Sequence, residues 1–197
     1  MAPKPLNREP SSRRIVEGHF DDIDAMAASP AAWDQKYEQI GRGRFQGRFT
    51  QLLLDQVQLA RVVWSPGILH RGSAPKGTWA FGLPLVAEGS LHVRRRPVAA
   101  GELIAATSRD DVGFTATGPT DLMIVALPTS LIDRWVQTRR GIDRFDLDLP
   151  SPRWQVSADE LAWRARALSS LLEALTTQLD NLLTDRALSR VDSQIST

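Results

Sequence analysis

The chain has 197 residues, 42% hydrophobic and 24% charged, with 24 basic against 23 acidic side chains and no cysteine. That length and apolar content suit one domain with a sizeable core plus an appendage, and the lack of cysteine excludes disulfides, thiol nucleophiles and thiolate-bound metals. A formal net charge of +1 argues against a nucleic-acid-binding surface over the whole molecule; no apolar run approaches the ~20 residues of a membrane-spanning helix and no apolar leader is recognisable, so a cytoplasmic location is expected.

In chain order, residues 1–18 are rich in Pro, Ser and Arg and are expected as a flexible tail. Phe20–Ser29 reads as a short helix whose first turn carries Asp21, Asp22 and Asp24, placed to suit the helix dipole. Trp33–Ile40 is a candidate strand. Phe45–Leu54 and Val57–Trp64 follow, separated only by Asp55 and Gln56, which predicts a tight hairpin. Thr78–Val86 has the clearest period in the chain: Trp79, Phe81, Leu83 and Leu85 on one face, Thr78, Ala80, Gly82, Pro84 and Val86 on the other. Such a period of two belongs to a pleated strand, not to a helix. The bulky face is expected to point inward, which makes Trp79, Phe81 and Leu83 ligand-pocket candidates, with Trp64 and Phe114 as neighbours. Arg61 and Gln51 are the polar residues available to orient a ligand if they point the same way.

Further along, Leu91–Val98 is a polar strand or loop containing Arg94, Arg95 and Arg96. Turns at Ala99–Glu102, Arg109–Gly113 and Gly118–Asp121 separate strands at Leu103–Thr107, Phe114–Thr117 and Leu122–Leu127. Short strands between turns describe a mainly-β jelly-roll barrel. From Pro128 the period becomes helical. Leu131, Ile132, Trp135 and Val136 form one face of a helix that ends near Gly141, followed by a proline-containing link at Asp143–Arg153. Ser157-Ala158-Asp159-Glu160 then forms a capping box and opens the longest helix, uninterrupted from Ala158 to Thr184. Leu161, Leu168, Leu172, Leu175, Leu179 and Leu182 recur at heptad spacing along it. A helix lying on its own barrel also shows a leucine stripe, but the narrowness of this one favours a partner helix, and these six leucines are the dimer-interface candidates. Residues 186–197 lose the period and are expected to fray.

No catalytic, cofactor-binding or metal-binding residues are expected. His19, His70 and His92 lie far apart, without the His-x-His pair of a metal-binding barrel. There is no Gly-x-Ser-x-Gly elbow and no phosphate loop, so the chain does not read as an enzyme. The arginines at 94–96 and at 134, 139, 140 and 144 are most simply solvated; they lack the interleaved aromatics of a single-strand platform. No helix-turn-helix is present to enter a major groove.

Several short motifs in order carry a resemblance. Phe20-x-Asp22-x-Asp24, Trp33-x-x-x-Tyr37-x-Gln39-Ile40-x-Arg42-Gly43-x-Phe45-x-Gly47, Leu59-x-Arg61, Phe81-Gly82-Leu83-Pro84-Leu85, Gly101-Glu102-Leu103 and the Leu127-Pro128 helix start together resemble the N-terminal domain of AraC/XylS-type transcriptional regulators, in the subgroup of the ethanolamine-operon regulators. The resemblance covers residues 19–185. It implies a cupin-like barrel over 19–127 and a helical dimerisation region over 128–185, acting as an effector-sensing module. It further implies a homodimer or pairing with a related regulator, a small-molecule effector, and a DNA-binding domain that this chain does not include. No sequence-specific DNA binding is therefore expected of the chain alone. A stand-alone regulatory partner and a small cupin-like enzyme are the alternatives.

Overall fold

A computed structural model describes residues 14–29, 33–99, 101–109, 112–140, 153–155 and 157–177. Two antiparallel sheets face one another. The larger takes β1 (Arg14–Phe20), β3 (Gln46–Leu53), β4 (Gln58–Ser65), β11 (Thr120–Pro128), β6 (Thr78–Ala87), β9 (Glu102–Thr107) and β12 (Arg153–Gln155), in that spatial order. The smaller takes β2 (Asp34–Gln39), β5 (Ile68–Ser73), β10 (Phe114–Ala116), β7 (Leu91–Val93) and β8 (Arg96–Pro97). Helix α1 (Ile23–Ala27) links β1 to β2, while α2 (Thr129–Arg140) and α3 (Ala158–Thr177) follow the barrel. This mainly-β jelly-roll with C-terminal helices is the class the sequence predicts.

Local chemistry sets the elements. The hairpin between β3 and β4 turns at Asp55-Gln56, with Leu52 opposite Leu59 and the Leu54 amide donating to Val57 O at 2.9 Å. Asp22 caps α1 by accepting from the amides of Asp24 and Ala25, so one carboxylate satisfies two of the helix's orphan donors. Asp21 instead pairs with Arg44 at 2.6 Å, where full hydration leaves little net stabilisation. In α3, Ser157 Oγ accepts from the Glu160 amide at 3.1 Å, one half of the expected capping box; the Glu160 carboxylate accepts from Arg164 one turn later. Pro84 sits where β6 bulges against β11, a position where the ladder tolerates a missing donor.

The large sheet has two apolar faces and therefore two cores. Phe49, Ala60, Val62, Trp64, Ile104 and Leu122 turn inward to meet Tyr37, Ile68, Leu91, Val93, Phe114 and Ala116 of the small sheet. On the opposite face, Leu52, Leu59, Leu83, Met123 and Val125 are buried with Leu161, Leu172 and Leu175 of α3, and Trp79 and Ala105 are buried with Ile132 and Val136 of α2.

Four expectations are corrected. Residues 14–18 are not tail: they begin β1, which runs antiparallel to β3 with Arg14 opposite Leu53. Val16 and Phe20 pack on the inner core and Ile15 on the outer, an alternation that the flanking arginines and glycine obscure in the sequence. Strand β5 was not anticipated, and neither was β12, whose Arg153–Gln155 closes the edge beside β9. Leu161, Leu168, Leu172 and Leu175 do not form a free seam; they seat α3 on this chain's own sheet, because the outer face of the sheet is itself apolar and must be covered. Trp135, expected on the buried face of α2, is 44% exposed. Residues 1–13, the 143–152 link, Leu179, Leu182 and the 186–197 stretch lie outside the described residues.

The hairpin between β7 and β8 is unusual. Its two central residues, Arg94 and Arg95, have φ of 48° and 66°, with Val93 opposite Arg96. Tight two-residue turns require this left-handed backbone and favour Asn-Gly for it, whereas a side chain with a Cβ is strained there. Replacing Arg94 with Asn and Arg95 with Gly is expected to raise stability by roughly 1 kcal/mol, measured by urea unfolding. An unchanged or lower midpoint would mean that the exposed arginines offset the strain through contacts of their own.

Candidate functional site

The inner core is incompletely filled. Between the two sheets lies a cavity of about 70 Å3. It exists because β6 turns small residues inward. Ala80 and Gly82 line the cavity, and a Cβ built on Gly82 would meet only Leu122 at 3.6 Å and Ile104 at 3.7 Å and beyond, so the glycine leaves usable space. Gly72 has a different reason: a Cβ there would strike Asp34 O and Gln35 on the adjacent strand, so it permits β2 and β5 to approach.

Cross-strand register builds the aromatic wall. Tyr37 of β2 and Phe114 of β10 both lie opposite His70 of β5, so three rings from three strands stand in one row. The Tyr37 and His70 rings are 5.2 Å apart and tilted by 47°. His70 and Phe114 stack at 4.4 Å and 12°, and Phe114 stacks on Trp64 of the opposite sheet at 5.8 Å and 26°. Such offset arrangements add to the stabilisation from burial alone. His70 Nδ1 lies 3.1 Å from Val112 O. A carbonyl only accepts, so Nδ1 carries the proton, and in the neutral ring Nε2 is the acceptor.

Several other polar groups around the cavity are engaged with protein partners. Trp33 Nε1 donates to Gln58 Oε1 at 3.1 Å, and the buried Gln51 donates to the same oxygen. Gln35 donates to Ala27 O and accepts from the Tyr37 hydroxyl. Burial pushes the Tyr37 phenol well above its usual pKa, an effect the Gln35 hydrogen bond only partly opposes. Two buried side-chain atoms among the described residues have no hydrogen-bond partner, Gln51 Oε1 and Trp64 Nε1. Apart from the titratable His70, no lining side chain is ionisable in the ordinary range of carboxylates, lysine or arginine.

Of the pocket residues expected from sequence, Trp64 and Phe114 line this cavity. Trp79, Phe81 and Leu83 are on the other face of β6, packed with α2 and α3; the bulky face covers the outer core, and the small face makes the room. Trp33, Tyr37 and His70 were missed. Their signal is slight: Trp33, Gln35 and Tyr37 alternate along one face of an otherwise polar strand. Arg61 points outward. It forms a fork on Asp121, with Nη2 to Oδ2 at 2.7 Å and Nε to Oδ1 at 3.0 Å, and Nη1 reaches Glu173 of α3 at 3.1 Å. The hydrogen bond to Asp121 is the main reason its already high pKa is raised. Among the described residues no three His, Cys, Asp or Glu side chains gather to hold a metal, and no helix is long and apolar enough to cross a membrane.

These features define a double-sheet barrel with an aromatic cavity and a helical cover on its outer sheet. No family model matches the sequence. Among solved structures, the chain is similar in fold to the AraC-like transcriptional activator CuxR, with a TM-score of 0.59 and 16% identity over 94% of this chain and 67% of that one. Weaker likenesses, at TM-scores of 0.35 and 0.38, are to a predicted oxalate decarboxylase from Thermotoga maritima (16% identity, 49% of this chain, 93% of that one) and a putative glyoxylate-induced protein from Pseudomonas aeruginosa (10% identity, 77% and 53%). At that level they carry no argument about function.

Proposed function

We propose that this chain is the non-catalytic, effector-sensing and dimerising module of an AraC-type transcriptional regulator. The observation that carries this reading is the extent of the fold similarity: 94% of the chain superimposes on an AraC-like activator, so helices as well as barrel are included. The cavity supports the sensing half, since ligand sites are concave, mostly apolar and furnished with few polar groups. The enzymatic alternative has no assembled metal-donor set behind it among the described residues.

The dimerising half needs a surface other than the leucine stripe. The outward side of α3 carries Trp163, 64% exposed, with Ala167, Ser170 and Ala174 also exposed at helical spacing. A large exposed aromatic beside small residues is a natural anchor for a second copy of the chain. Light scattering is expected to give a dimer at tens of micromolar, roughly the range expected of a modest interface, and Trp163→Arg is expected to give a monomer with unchanged circular dichroism. A monomeric wild type would overturn the dimerising half and leave the sensing half standing.

A further inference from the structure

We propose that Arg61 is a positioning residue that couples the cavity wall to the C-terminal half of α3 through strand β11 at its bulge. The coupling needs no ligand and is independent of the sensing role. Three features meet at one point of the large sheet. The β6–β11 ladder loses its register between Asp121 and Leu122, and the residue opposite Leu122 is Pro84, which has no amide to donate. A ladder with a bulge and a missing donor is held less tightly there than on either side. Asp121 and Leu122 face opposite ways, as neighbours on a strand do. Leu122 lines the cavity, whereas Asp121 accepts the fork of Arg61 on the outer face. Arg61 in turn reaches off the sheet to Glu173 of α3 at 3.1 Å.

The β4–β11 ladder is continuous from Thr120 to Ala126, so Arg61 and Asp121 move as one piece. Whatever presses on or steadies Leu122 therefore shifts or steadies the fork relative to α3. The contact with the helix is weak: Glu173 is 68% exposed and Arg61 32%, and such a pair shifts an equilibrium by no more than about fivefold. That is too little to seat α3, which Leu161, Leu172 and Leu175 already hold on the sheet. It is enough to bias the opening of the last turns of the helix, which ends at Thr177. Arg61 thus acts as a coupling and the leucines as the clamp.

Gly82→Ala is the lever that tests this. Its methyl meets Leu122 Cδ1 at 3.6 Å and Ile104 at 3.7 Å, both ordinary contacts, so it packs against the cavity side of the bulge without a clash. The readout is deuterium exchange of single amides by NMR. In the otherwise wild-type chain, Gly82→Ala is expected to slow exchange over residues 169–177 about threefold, within the reach of such an ion pair. In a Glu173→Gln background the same change is expected to leave those amides as they were. It is still expected to raise the urea midpoint in both backgrounds, because losing a glycine restricts the unfolded chain in either. Asp121→Asn, which removes the charge that orients Arg61, is expected to abolish the slowing as well. Should that variant fail to fold, Glu173→Gln at its exposed position decides alone. Equal slowing with and without Glu173 would overturn Arg61 as the coupling residue and assign the effect to general stiffening. Unchanged or faster exchange over 169–177 in the Gly82→Ala chain would overturn the coupling itself.

Discussion

Leu172→Glu is expected to lower the stability of the whole barrel, with the change in unfolding free energy far exceeding any effect on association. Leu172 is 2% exposed and belongs to the core that α3 shares with Leu52, Leu59, Leu83, Met123 and Val125. Truncating a buried leucine costs about 2–5 kcal/mol through lost transfer energy and residual cavity. A carboxylate at that position adds a desolvation penalty. Against a total stability of about 5–15 kcal/mol, such a loss should show as a large fall in the urea midpoint and as early proteolytic cleavage in α3. A variant that unfolds at the wild-type midpoint but loses a dimer partner would return Leu172 to an intermolecular seam.

The second large effect is alkaline. Tyr37 is the chain's one tyrosine, and burial raises its pKa in the folded state. Below pH 10 both folded and unfolded chains hold the proton, so Tyr37 adds no pH dependence. Above pH 10 the unfolded chain gives up the proton while the folded chain keeps it, and folding stability falls by about 1.4 kcal/mol per pH unit from this residue. Urea unfolding in pH steps should therefore show a steeper alkaline decline for the wild type than for Tyr37→Phe, by that slope. Phenolate absorbance should appear only with unfolding. A phenolate signal near pH 10 from an intact fold would contradict the buried environment.

The sequence disclosed elements better than faces. The β6 alternation identified a strand, but a period of two does not say which side is interior when both sides are covered. The assumption that bulk points inward failed because the barrel interior needed Ala80 and Gly82 small to leave a cavity, while Trp79, Phe81 and Leu83 met α2 and α3. The leucines of α3 posed the same problem: a stripe at heptad spacing fits a helix on a sheet as well as a helix on a helix. The aromatic row was out of reach, because Tyr37, His70 and Phe114 become neighbours only through the register of β2, β5 and β10, which depends on long-range pairing. What could be read locally survived: the Asp55-Gln56 turn, the Ser157 cap and the switch from strand to helix at Pro128.

Strands β4 and β11 form a party wall. On one side Val62, Trp64 and Leu122 line the cavity; on the other Leu59, Met123 and Val125 carry α3, and Arg61, itself paired with Asp121, holds Glu173 of that helix. An occupant of the cavity therefore opposes any opening that distorts these strands, and local openings are what admit solvent deuterium to amides. At a hundredfold excess over its dissociation constant, a ligand restricted to the native state contributes about 2.7 kcal/mol. Amides of α3 that exchange through opening of this wall then slow in proportion, although α3 contributes no residue to the cavity lining. Deuterium uptake along Ala158–Thr177 thus becomes a remote meter of what the barrel contains.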